Sequence, residues 1–112
     1  MKQSFSLLIT AAALFFVSAS VAYEPGGCLV EDLSRYTGCG TSDGYKVRIT
    51  NQCPDRVYVK VCLQITTTSY GWDCGSSPIL QGKRNQFDTC HGTGIYRMCS
   101  SLDNWGCAGF EP

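Results

Sequence analysis

The sequence predicts a small all-β domain, an antiparallel sheet or sandwich stapled by disulfides, with room for one short N-terminal helix. Three observations lead there: five apolar residues in strict alternation between Val57 and Ile65, eight cysteines in 112 residues, and an export-like N-terminus. Period-2 alternation marks a strand with one buried face. An even number of cysteines in a short exported chain marks a disulfide framework.

The first 22 residues, MKQSFSLLITAAALFFVSASVA, have the parts of a secretory signal: Lys2, an apolar run from Leu7 to Val17, then small residues at Ser20 and Ala22. The run is shorter than the roughly 20 residues a bilayer span needs. Cleavage is expected after Ala22, leaving residues 23–112 as one domain without stable membrane insertion. A domain of that size buries a limited core and gains from covalent closure. All eight cysteines, Cys28, Cys39, Cys53, Cys62, Cys74, Cys90, Cys99 and Cys107, survive cleavage, so a secreted location, extracellular or periplasmic, is expected.

Nine basic and nine acidic side chains balance in the whole chain, and loss of Lys2 leaves the mature domain at −1. Such a surface has no electrostatic footprint for nucleic acid or an anionic membrane. No Asn-x-Ser/Thr triplet occurs, so N-glycosylation is not expected.

In chain order, Leu29, Val30 and Leu33 suit one face of a helical turn, with Glu31 and Asp32 near its start. Gly38 to Gly44 reads as turns. Tyr45, Val47 and Ile49 alternate with Lys46, Arg48 and Thr50, predicting a strand. Asn51 to Asp55 ends it, and Val57, Val59, Val61, Leu63 and Ile65 define the next, with Tyr58, Lys60, Cys62 and Gln64 on its other face. A strand through Tyr70 to Cys74 is expected antiparallel to that one. Ser76 to Asn85 reads as mostly loop, although Ile79 and Leu80 need burial. Gln86 to Cys90 and Ile95 to Ser100 read as a hairpin about His91–Gly94.

The segment VRITNQCPDRVYV, residues 47–59, resembles the opening strand, turn and strand of thaumatin-like proteins, in which an Asn, a Cys and a hydrophobic strand follow in similar order. It covers thirteen residues of a family of much longer, more cysteine-rich chains, and no functional residue is carried over from it.

Residues 44–75 and 82–109 echo one another. Cys53 and Cys62 stand as far apart as Cys90 and Cys99, and Trp72 and Trp105 each precede a cysteine by two residues. If each unit closes itself, Cys62 pairs with Cys74 and Cys99 with Cys107. Cys53 then joins Cys90 across the units, and Cys28 joins Cys39.

No cofactor or metal is expected. Zinc sites favour cysteines two to four residues apart with histidine partners, whereas here the cysteines are widely spaced and His91 is the single histidine. His91 in its Gly-rich turn reads as an exposed turn residue, and no Gly-x-Ser-x-Gly elbow is present. The carboxylates are scattered beside turn residues, and none stands out as half of a catalytic pair.

The aromatic residues offer the functional lead, since amphipathic rings bind sugar faces and protein surfaces alike. The favoured function is recognition of a protein or carbohydrate partner without catalysis, by an effector, inhibitor or surface-binding module. Its candidate contacts are Tyr58, Tyr70, Trp72, Lys83, Arg84 and Trp105. The rivals are a small wall or polysaccharide hydrolase using carboxylates such as Asp73 or Asp88, and a structural matrix or coat component. The export signal makes the first prediction: intact mass and N-terminal sequencing of the secreted protein find Tyr23 at the amino terminus and no residue of 1–22.

Overall fold

A computed structural model of the chain describes residues 25–66 and 71–112. The expected signal segment, residues 1–22, therefore lies outside the described residues, as does Tyr70. After a one-turn 3-10 helix, Pro25–Cys28, six strands follow: β1 (Leu29–Arg35), β2 (Tyr45–Asn51), β3 (Val57–Ile65), β4 (Trp72–Ile79), β5 (Arg84–Thr89) and β6 (Gly92–Ser101). They form two antiparallel three-stranded sheets, β1-β2-β5 and β4-β3-β6. This is the all-β, disulfide-stapled architecture that the alternation predicts.

The core lies between the two sheets. Val47 and Ile49 of β2 meet Val57, Val59, Val61 and Leu63 of β3, with Ile79 and Phe87 closing one side. Each such side chain contributes about 1.5–3 kcal/mol on burial. Gly75, opposite Val61, leaves room for Phe87, since a Cβ there would stand 3.1 Å from its ring. Ile65, last of the alternating row, is only half-buried, because the pairing of β3 with β6 shifts register between Leu63 and Ile65.

Three local expectations are corrected. The helical turn at Leu29–Leu33 is instead β1, paired along its length with β2. A spacing of four residues puts Leu29 and Leu33 on one face of a strand as readily as of a helix, and β2 supplies the hydrogen-bonding edge that decides between them. Ser76 to Ile79 is not loop but the second half of β4, where Pro78 is tolerated because β4 is an edge strand. The expected hairpin about His91 does not form. β5 pairs with β2 and β6 with β3, so the chain crosses between sheets there, with His91 at φ 56° and Gly92 N–H donating to the Asp43 carbonyl.

Disulfides join Cys62 to Cys74 and Cys99 to Cys107, as the echo predicts. The other two correct it, joining Cys28 to Cys53 and Cys39 to Cys90, so the symmetric pairing across residues 44–75 and 82–109 fails. Cys28 and Cys39 flank opposite ends of β1, about 20 Å apart at strand rise, well beyond bridging distance. Cys53 and Cys90 are separated in the same way. Cys53 follows the end of β2 that meets Arg84, and Cys90 follows the end of β5 that meets Tyr45.

One buried polar side chain joins the layers. Asn51, fully buried, donates from its amide to the carbonyls of Asp55 and Ile79 at 2.9 and 2.7 Å and accepts from Cys53 N–H at 2.7 Å. Its backbone N–H donates to Lys83 C=O, and its carbonyl accepts from Gly82 N–H. Gly82 takes φ 76°, a left-handed conformation that costs glycine little. Replacing Asn51 by Ala orphans two buried backbone groups, the Ile79 carbonyl and the Cys53 N–H, at about 1–3 kcal/mol each, and frees the part-buried Asp55 carbonyl. Chemical denaturation of oxidised Asn51→Ala is expected to show a loss of at least about 2 kcal/mol.

Candidate recognition groove

Residues directly opposite in a sheet share a face, so the outer face of β4-β3-β6 follows from its register. Tyr58 lies against Pro78 and Ser101, Lys60 against Ser76 and Cys99, Cys62 against Cys74 and Arg97, and Gln64 against Trp72. The C-terminal segment folds back toward this face because Cys107 is bonded to Cys99. Lys60 Nζ donates to the Phe110 carbonyl at 2.7 Å. Gly106 meets Ser101 so closely that a Cβ would fall 2.0 Å from its Oγ, so no other residue fits there without displacement.

Between sheet and segment runs a groove of about 370 Å³. Tyr58, Lys60, Ser76 and Pro78 line its sheet side, and Asn104, Trp105 and Ala108 line the other. Trp105 is 78% exposed. Its backbone is nonetheless held, its N–H donating to Asp103 Oδ1 at 2.9 Å and its carbonyl accepting from Ala108 N–H at 3.1 Å. The Arg56 guanidinium stacks 5.1 Å from the centroid of the Tyr58 ring and fixes that wall.

Of the residues singled out from sequence, Tyr58 and Trp105 come together in this groove. Trp72 is half-buried at the opposite end of β4 from Pro78, and neither it nor Lys83 or Arg84 lines the groove. Lys83 and Arg84 are exposed where the chain enters β5 in the other sheet. Ser76, Pro78, Asn104 and Ala108 went unrecognised in the sequence. Extending the β4 alternation through Pro78 would have placed Ser76 and Pro78 beside Lys60 and Tyr58.

The candidate carboxylates are separated. Asp73 accepts a hydrogen bond from the buried Thr89 hydroxyl at 2.7 Å, whereas Asp88, next in chain to Thr89, alternates to the outer face of β5. All eight cysteines are in disulfides. Among the described residues no group of three or more His, Cys, Asp or Glu is placed to hold a metal ion.

His91 is an exposed turn residue whose Nδ1 lies 3.1 Å from Asp43 Oδ2. The Thr41 hydroxyl, first, and His91, second, hold the Asp43 carboxyl below its ordinary range. That small contribution to stability is present above the ordinary carboxylate pKa and lost as pH falls through the lowered one. Across the sandwich, Tyr96 Oη donates to Glu31 Oε1 at 2.5 Å, linking β6 to β1.

Compared with protein-family models, curated proteins and solved structures, the chain matches none.

Partial burial, followed by the neighbouring Glu31 carboxylate, pushes the Tyr96 phenol up to about 12. A raised phenol pKa makes its contribution to stability complete below about pH 10 and lost as pH rises toward the folded value. In an NMR titration the Tyr96 ring is expected to ionise near 12, and Glu31→Gln is expected to bring it part of the way back toward 10.

Proposed function

We propose that this chain is a secreted recognition module that binds its partner in the groove between the outer face of β4-β3-β6 and the C-terminal segment, without turnover. The observation that carries this reading is Trp105, a large apolar ring left 78% exposed on a backbone secured by hydrogen bonds and by the nearby Cys99–Cys107 bridge. Exposed aromatics on rigid supports bind at low entropic cost, since little ordering remains to be done. Tyr58, stacked by Arg56, supplies the facing wall. Four disulfides in so small a domain fit an oxidising compartment, and the N-terminal 22 residues have the form of the export signal that would deliver it there.

The test compares the oxidised, secreted protein with its Trp105→Ala variant on paired arrays, one of glycans and one of purified extracellular proteins. Trp105 makes few contacts in the free protein, so the variant is expected to fold normally. Removing a central interface tryptophan typically costs at least about 2 kcal/mol, so a loss of more than about tenfold in affinity is expected for the true partner. Unchanged affinity for every partner found would overturn the reading.

A further inference from the structure

Taking the groove as the recognition site, we infer that its ligand is a saccharide, with the apolar C–H face of one pyranose ring laid on Trp105. Three features of the lining point to this class. The first is shape and scale. About 370 Å³ is at the small end of ligand sites, room for one or two sugar rings beside a flat indole.

The second is hydrogen-bonding capacity. The Tyr58 phenol, the Ser76 hydroxyl and the Asn104 amide all line the groove, yet none is engaged in a side-chain hydrogen bond with the described residues. Each can donate and accept. That dual capacity matches sugar hydroxyls, which also do both, and it is more than an apolar side chain from a protein would use.

The third is charge. Lys60 is the single charged residue in the lining, and one of its three N–H donors is occupied by the Phe110 carbonyl. Among the described residues the one ion pair is His91 with Asp43, so no carboxylate lies within 4 Å of the Lys60 ammonium. A neutral sugar or a uronic acid is compatible with that cation, and an amino sugar bearing a positive charge is repelled by it.

Both walls are fixed before a ligand arrives, because Cys62–Cys74 ties β3 to β4 and Cys99–Cys107 ties the segment to β6. The hydroxyl-bearing edges of the ring then meet Ser76, Tyr58 and Asn104. If a carboxylate is present on the sugar, it meets the remaining donors of Lys60.

The deciding experiment is calorimetric titration of the oxidised protein with three probes: cellohexaose, N-acetylchitohexaose and hexagalacturonate. At least one is expected to bind, with a shift in indole emission. Trp105→Ala should weaken that binding more than tenfold, and Trp105→Phe should retain part of it. Lys60→Gln is expected to weaken hexagalacturonate more than it weakens the neutral oligomers if the acidic sugar is the ligand, and to weaken all three alike if it is not. Silence with all three probes, or binding indifferent to Trp105, overturns the saccharide assignment. A Trp105-dependent protein partner found alongside that silence would leave the recognition reading standing, whereas the absence of any Trp105-dependent partner removes both.

Discussion

The sandwich depends on the buried amide of Asn51. It ends β2 in one sheet, and its side chain grips the Ile79 carbonyl at the end of β4 in the other, together with the turn that leads into β3. A buried amide is favourable only when all its donors and acceptors are matched, and here both N–H groups and the oxygen are used. The grip fixes where β3 begins relative to β2, and so sets the valine row against Val47 and Ile49. The Cys28–Cys53 bridge closes over the same corner and holds the start of β1 beside it.

From that corner the outer face of β4-β3-β6 follows. Once Val57, Val59 and Val61 face inward, alternation sends Tyr58, Lys60 and Cys62 outward, and the register with β4 places Pro78, Ser76 and Cys74 beside them. The bridge between Cys99 and Cys107 then brings back the C-terminal segment. The groove is the space left where this segment meets the sheet without filling it. Trp105 projects at its rim because Cys107 is buried and Gly106 is pressed against Ser101. The exposed ring is thus a consequence of how the segment is tied down.

How legible this was depends on the signal each element carries. The strand at Val57–Ile65 was readable because its five apolar residues fit period 2 and not period 3.6. β1 was not, since Leu29 and Leu33 satisfy both periods, and its strand state comes from pairing with β2. The misread hairpin at His91 has a similar origin, because turn residues announce a change of direction without naming the neighbouring strand. The two cysteine pairs that differ follow from the echo, which assigns Cys53 to Cys90 and leaves Cys28 for Cys39, whereas the bridges are Cys28–Cys53 and Cys39–Cys90. With β1 recognised as a strand, Cys28 and Cys39 stand at its opposite ends and cannot meet.

For the site, Tyr58 and Trp105 were visible as aromatics, but so were Trp72 and Tyr70, and nothing local ranked them. By itself the sequence determined the all-β class, the buried valine row and the need for disulfides, because alternation and cysteine count act through neighbouring residues and chain length. The tertiary structure alone decided which cysteines meet, that β5 and β6 part into different sheets, and that Tyr58 and Trp105 face one groove. Those outcomes rest on contacts between residues far apart in the chain, and no local pattern encodes a distance of that kind.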